Sequence, residues 1–274
     1  MKKNPRFPLL LRYPGGKHYA IDFLYKFWSN IVHQEYREPF AGGATVFFNK
    51  EKCSINWLND IDQELITTYQ IISDPHNRKK LINLVSNEIA AAERWKEIFN
   101  FQPKNDIETA FKYFYLNRTS FSGKLVSASW GYRPKRSLPP ERWVERIIPC
   151  GEKLKNVQLT SYDFEDVIKK KSKCKVLLYV DPPYYLPPKN KHYRHGLEKH
   201  DHERLCKLLK QTKHNFFLTY DDSEEIKSMY RWANIYPVDF YYRVDNSAIQ
   251  NGSRRKGFEL VITNFKMDLF DNVS

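Results

Sequence analysis

The 274-residue chain lacks a long apolar run. Its basic N-terminus is followed only by Leu9-Leu10-Leu11, which Arg12 interrupts, so neither a secretory signal nor a membrane span is expected. It is also poor in cysteine. Cys53, Cys150, Cys174 and Cys206 lie far apart with no C-x-x-C pair, which speaks against a disulfide framework or a structural zinc site and for a reduced, cytoplasmic protein. Internal repeats and low-complexity tracts are absent as well, which excludes solenoid and linker-like architectures. What the chain has in excess is positive charge. Its formal charge is +13, and 15% of its residues are aromatic within a 41% hydrophobic total, enough for a sizeable core. Such a balance points to a polyanionic partner, nucleic acid first, although a merely lysine-rich soluble protein has the same composition.

The chain is organised around Asp181-Pro182-Pro183-Tyr184, which follows the apolar run 176–180. That run reads as a buried strand. Two successive prolines lack N–H groups and must end it. In an open α/β sheet ligands bind at the carboxyl ends of strands. A carboxylate, a stiff turn with a free carbonyl and an aromatic ring suit an exocyclic amine on a planar base: two acceptors for its hydrogens and a face to stack on. A capping Asp before a rigid turn is the plainer alternative. If Tyr184 stacks on a base, its loss should leave the melting temperature nearly unchanged.

Upstream, Tyr13-Pro14-Gly15-Gly16-Lys17 is turn chemistry ahead of helical spacing from Ala20 to Ile31. Read alone, it is more simply an ordinary loop with a solvated lysine. The run 36–40 leads into Ala41-Gly42-Gly43-Ala44, a strand, glycine turn and short helix as at the entry to a nucleotide-binding unit. A second strand, 55–58, is closed by Asn59-Asp60. Asp60 lies about 20 residues past the glycines, where an acidic residue reaches ribose hydroxyls, unless it caps the helix expected at 63–72. From about 75 to 149 the alternation lapses. Helices are expected around Leu81–Ile89 spacing and around Ala110 to Tyr115. A basic and aromatic stretch then carries Arg118, Phe121, Lys124, Trp130, Tyr132, Arg133, Lys135, Arg136, Arg142 and Trp143. Such residues can contact phosphates and base edges, or form a solvated face over core aromatics.

After this stretch the strand 157–160 ends at Asp163-Phe164, again with a carboxylate at a strand end. The histidine-rich segment from His192 to His202 is read as a loop near the site rather than a metal centre, since its ligand spacing is not compact. A helix at 203–213, a strand at 215–220 and a helix at 223–232 follow. Two final strands, near 240–244 and 258–265, form a closing hairpin whose tip holds Arg254, Arg255 and Lys256.

Together these pieces resemble the Dam-type (D12 class, alpha group) DNA adenine-N6 methyltransferases, in family order and over nearly the whole length. The matching segments are Tyr13 to Lys17, Glu38-Pro39-Phe40-Ala41-Gly42-Gly43-Ala44, Asn59 to Asp62, Tyr115-Leu116-Asn117-Arg118 with Gly123, Asp181 to Tyr184, and Asn251 to Lys256. The resemblance implies a mostly parallel, Rossmann-like sheet ending in an antiparallel hairpin. Residues 1–74 and 150–274 would form the catalytic domain, and 75–149 an inserted target-recognition domain. It implies S-adenosylmethionine (AdoMet) as cofactor, without metal, held by Tyr13, Gly15, Lys17, Phe40, Gly42, Asp60, Asp163, Phe164 and Asp181. Asp181, Pro182 and Tyr184 would be catalytic. Arg118, Lys124, Arg133, Arg136, Arg254, Arg255 and Lys256 would contact double-stranded DNA, the expected partner; a cognate restriction endonuclease is a candidate second one. Members that methylate GATC carry an Arg- and Tyr-rich loop where this chain has residues 124–129, so a GATC target is not carried over. The expected reaction is methyl transfer to adenine N6 after base flipping, which costs roughly a few kcal/mol. The alternatives are an RNA adenine methyltransferase and a catalytically silent DNA-binding protein.

Overall fold

The computed structural model describes residues 6–13, 15–185, 194–241 and 256–267. Seven strands form one sheet in the order β3-β2-β1-β4-β5-β7-β6. They are β1 (Glu35–Glu38), β2 (Ile55–Asn59), β3 (Gln158–Thr160), β4 (Val176–Val180), β5 (Asn215–Asp221), β6 (Asn234–Tyr241) and β7 (Lys256–Thr263). The first five in spatial order are parallel, and β7 runs antiparallel between β5 and β6. The chain builds outward from β1 to β3, then returns to place β4 on the other side of β1. That reversal opens a crevice between the carboxyl ends of β1 and β4, where such sheets bind ligands.

β4 matches the apolar run read from sequence, and every residue in it is buried. β1 is different: its sequence is Glu-Tyr-Arg-Glu, yet all four residues are buried. Internal pairing makes this tolerable. Arg37 donates to Glu35 at 2.6 Å and to the carbonyls of Val167 and Lys170 at 2.8 and 2.7 Å, which ties β1 to helix α8 (Phe164–Lys169). The guanidinium also lies 5.4 Å from the Trp57 ring on β2. Paired in this way, the charge is not left bare in the core.

Helix α1 (Ile21–Ser29) buries Leu24, Phe27 and Trp28 on one side of the sheet. Phe27 stacks on Phe217 of β5 at 6.3 Å. The glycine turn after β1 enters the short α2 (Thr45–Asn49), and β2 leads to α3 (Gln63–Ser73). Helices α4 (Pro75–Ser86), α5 (Ala92–Asn100), α6 (Asp106–Thr119) and α7 (Val144–Leu154) fill the region where alternation lapses. They share a core with α3: Ile66, Tyr69 and Ile72 belong to the same buried cluster as Leu81, Phe114, Ile147 and Leu154. α7 crosses residue 150. Its Gly151 allows a close approach, since a Cβ there would stand 2.5 Å from the Ile72 carbonyl oxygen. Trp143 is fully buried and packs edge-on against Phe114 and Tyr115, so this member of the basic-aromatic stretch is a core residue.

Several boundaries differ from the sequence reading. The helix expected at 203–213 is α9 (Lys199–Gln211), started by a capping box in which Glu198 and Asp201 satisfy each other's backbone. His200 and His202 are therefore helical. His202 is buried against Tyr185 and Tyr220, and burial pushes its pKa down to about 4; it is a core histidine. His192 lies outside the described residues, among which no cluster of three metal-ligating side chains occurs. The helix expected to reach 232 is α10 (Glu224–Met229). Its early end lets β6 start at Asn234, paired with Thr263, rather than near 240. Residues 242–244, Arg254 and Arg255 lie outside the described residues, and Lys256 is the first residue of β7. No described helix is long and apolar enough to cross a membrane.

Glu38 closes β1 beside the crevice. Its Oε1 accepts from the Tyr36 hydroxyl at 2.6 Å and from the Phe47 amide at 2.9 Å, while Oε2 has no hydrogen-bond partner among the described residues. Burial pushes its pKa up to about 8 against those two bonds, and the nearby Asp181 charge adds to the rise. The folded pKa lies above the unfolded one. The associated stability is therefore complete below about 4.5 and is lost as pH rises through about 8. Glu38→Gln, neutral throughout, should flatten the fall in melting temperature between those pH values and leave the variant at least as stable as wild type near pH 8. A Gln variant that loses stability with the same pH profile would show that Glu38 folds ionised.

Candidate active site

A cavity of about 330 Å³ opens at the crevice, within the range of small-molecule sites, roughly 300–1,000 Å³. Each parallel strand from β1 to β4 delivers a loop to its wall. Asn59, fully buried, binds three of these loops together. It donates to the carbonyls of Pro39 and Tyr162 at 3.0 Å each, and its Oδ1 accepts from the Tyr162 amide at 2.8 Å.

The glycine turn is shaped by Tyr13. Gly42 has a φ of +45°, and a Cβ on it would lie 3.0 Å from a Tyr13 ring carbon. The ring thus lies flush on the turn, which only glycine permits. The Tyr69 hydroxyl donates to the Gly42 carbonyl at 2.6 Å, and the Gly42 amide donates to Asp60 at 2.8 Å. Asp60 also accepts from the Asp62 amide at 3.0 Å. It is not the helix cap: Asp62 is, accepting from the Leu65 amide at 3.3 Å. Burial pushes the Asp60 pKa up to about 6, against the two amides and with help from the Asp62 charge.

Lys17 is 2% exposed, not solvated. Its Nζ donates to Asp181 Oδ1 at 2.6 Å, to Oδ2 at 2.8 Å, and to the Gly15 carbonyl at 2.9 Å. Thr219 on β5 donates to Asp181 Oδ1 at 2.6 Å. Asp181 caps no helix, so the plainer alternative for it fails. Burial raises its pKa from the ordinary aspartate value, and the adjacent Lys17 ammonium opposes the rise. A carboxylate has about four lone-pair sites. Among the described residues three are taken, and the one left is on Oδ2.

Asp163 caps α8, accepting from the Glu165 amide at 2.8 Å. Arg204 grips it bidentately at 3.0 and 2.9 Å, and its guanidinium lies 4.2 Å from the Phe164 ring centre. Phe40 and Phe164 pair at 5.2 Å. The cavity thus gathers Tyr13, Gly15, Lys17, Phe40, Gly42, Asp60, Asp163, Phe164 and Asp181 on one wall system. Pro14 lies outside the described residues.

Tyr184 is not on that wall. Its ring is 3% exposed, 6.4 Å from the Tyr220 ring, with Lys17 Nζ 5.0 Å from its centre. Truncating it would empty core volume, so the expectation of an unchanged melting temperature does not hold. Sequence reasoning also missed Thr219 and Arg204, and it named Asn59 in the acidic turn without giving it a role. Thr219 becomes visible only once β5 is known to pair with β4.

The D12 class N6 adenine-specific DNA methyltransferase family model matches residues 13–244. The chain belongs to that family. A type II methyltransferase, M.CviBI, of Paramecium bursaria Chlorella virus NC1A is 23% identical over 262 residues, covering 93% of this chain and 99% of its own. The DNA N-6-adenine-methyltransferase of Escherichia phage P1 is 24% identical over 214 residues, 73% of this chain and 28% of its own. A solved structure from Pyrococcus horikoshii, conjectured to be an RNA methyltransferase, aligns over 95% of this chain and 89% of its own at 8% identity, with a TM-score of 0.40, too low to bear on fold or substrate. The methyltransferase uses AdoMet and acts on adenine N6 in DNA, which sets aside the RNA and the catalytically silent readings.

Of the other residues expected at the DNA, Arg118 is buried, Lys124 is half-buried, and Arg133 and Arg136 are exposed on the following loop. The Gly42 contact carries a prediction. Gly42→Ala should cost the enzyme about 1–2 kcal/mol for its left-handed backbone, plus displacement of Tyr13. Denaturant titration reads this; an unchanged midpoint would mean that Tyr13 does not rest on the turn.

Proposed function

We propose that the enzyme methylates adenine N6 at a specific site in double-stranded DNA, with the base flipped out of the helix. The observation that carries this reading is the Asp181 carboxylate, held at the end of β4 with one acceptor site left on Oδ2. The cavity fits AdoMet in character: the glycine turn admits a ligand against backbone, Asp60 offers an acidic edge for ribose hydroxyls, and Phe40 and Phe164 offer aromatic faces for a purine. Tyr13, Gly15 and Lys17 would complete its walls. When bound, AdoMet supplies an electrophilic methyl group.

The chain's own residues prepare the acceptor. Adenine N6 is a poor nucleophile because its lone pair is conjugated with the ring. Asp181 Oδ2 would accept one N6 hydrogen and the Pro182 carbonyl the other, which favours a tetrahedral amine with its lone pair released. Holding that amine in line for attack supplies much of the remaining acceleration. Lys17 and Thr219 act through Asp181, fixing its carboxylate plane. Tyr184 would stack on the adenine only after one face of its ring is uncovered. Residues 75–149 would read the sequence, and Arg118, Lys124, Arg133 and Arg136, together with Arg254, Arg255 and Lys256, would be the enzyme's cationic contacts to DNA.

Asp181→Asn tests the carboxylate. It keeps the shape but brings a weaker acceptor and an extra donor. Transfer of radiolabelled methyl to duplex DNA should fall at least about 10²-fold, by analogy with the loss of other preorganised polar groups, while DNA binding persists. Thermal melting checks that Lys17, left without its counter-charge, still folds. Near-normal turnover would remove Asp181 from the reaction.

A further inference from the structure

A second cavity, of about 640 Å³, lies between the N-terminal segment, the end of α6, loop 134–139 and the start of α7. Its walls carry six arginines, Lys135 and His18, and no carboxylate. Some of this charge is already committed. Arg6 pairs with Asp22 at 2.8 Å and Arg142 with Glu145 at 2.8 Å. Arg12 donates to the carbonyls of Asn117, Arg118 and Ser120. Among the described residues, Nε of Arg118 and of Arg146 is buried without a hydrogen-bond partner, and so is Nδ1 of His18. Arg118 is only 8% exposed.

A buried guanidinium without a counter-charge is strongly unfavourable, and here others stand beside it. Burial, then the charges of Arg12 and Arg146, push the Arg118 pKa down to about 9. The neighbouring acids Asp22 and Glu145 are each engaged by another arginine. What the site lacks is an anion with several acceptor oxygens. Arginine forks bind phosphate in that way, two N–H groups to two oxygens.

We infer that Arg118 and Arg146, with His18 beside them, form a preformed pocket for one phosphate group, and that this phosphate belongs to the backbone of the DNA being methylated. The second clause rests on the DNA reading above. Chain continuity favours the backbone over a free ion: Arg12 lines this pocket while the next residue, Tyr13, lines the cofactor cavity. A strand gripped here is therefore held beside the reaction centre. Phosphate contacts of this kind set position and register without reading sequence. Arg118 would then hold the duplex irrespective of its bases, and target choice would fall to the exposed Arg133 and Arg136.

The test measures duplex affinity over a salt series, without cofactor, for wild type, Arg118→Gln and Arg146→Gln. Inorganic phosphate binding is followed by calorimetry in parallel. Lys173→Gln, an exposed charge ahead of the central strand β4 and outside this pocket, controls for the loss of one positive charge. Each pocket variant should bind random-sequence duplex about tenfold more weakly. Each should also flatten the slope of log affinity against log salt by about one, and the control should do neither. If Arg118→Gln does not fold, the half-buried Arg146 carries the test. Phosphate binding lost in the variants with unchanged duplex affinity and slope would mark a free-anion site and overturn the backbone assignment. Folded variants that bind both ligands as wild type does would overturn the pocket itself. Wild-type protein that binds phosphate here but no duplex would sustain the pocket and sink the DNA reading instead.

Discussion

The site depends on one ion pair, Lys17 with Asp181, formed between residues 164 apart in sequence. Lys17 is sealed from solvent, and Asp181 retains 19% exposure on the cavity side. Burying two charges is costly, and their attraction offsets the cost only when the remaining hydrogen-bonding sites are filled. Here all but one are: Gly15 takes one ammonium hydrogen and Thr219 donates to Oδ1, which leaves a single acceptor site on Oδ2. The pair pins the N-terminal segment over the centre of the sheet, and this in turn lays Tyr13 on the glycine turn. Removing either partner would strand the other, which couples the seat of Tyr13 to the setting of the Asp181 carboxylate.

The surroundings of this pair are acidic. Glu38 at the end of β1 and Glu259 on β7 both act on Asp181 or are acted on by it. Glu259 is engaged by the Tyr19 hydroxyl at 2.9 Å, and Glu38 is held largely protonated by burial. Two neighbouring carboxylates cannot both be ionised cheaply in a low-dielectric site. The fold resolves this by neutralising Glu38 and pairing Asp181, so that the charge stays on the carboxylate at the end of β4.

Much of this was legible in the sequence, for definite reasons. β4 is an apolar run stopped by two prolines, so pattern and breaker agree. The carboxylates at the ends of β2, β3 and β4 could be placed because a parallel sheet puts every such end on one rim. β1 was legible only through the glycines that follow it, since its charged residues follow no hydrophobic period and are accommodated by long-range partners. The same limit applies to Lys17, which reads as solvated until Asp181 is brought to it, and to Thr219, whose role follows from strand pairing. α9 started early because its cap is a pair of acids rather than Ser or Thr. β6 was placed too late because α10 ends after six residues. Arg118 was read as a DNA contact, but its burial beside two other arginines is a product of tertiary packing.

The central claim is that Asp181 acts as an ionised acceptor and that Lys17 keeps it so. The direct measurement is the pH dependence of single-turnover methyl transfer, at saturating AdoMet and DNA, in wild type and Lys17→Gln. An opposite charge in contact lowers an aspartate pKa by about 1–3 units. Removing it should therefore move the acid limb of the profile to higher pH by that amount, with activity recovering as pH rises. A variant whose rate falls equally at every pH, with the acid limb unmoved, would contradict the account.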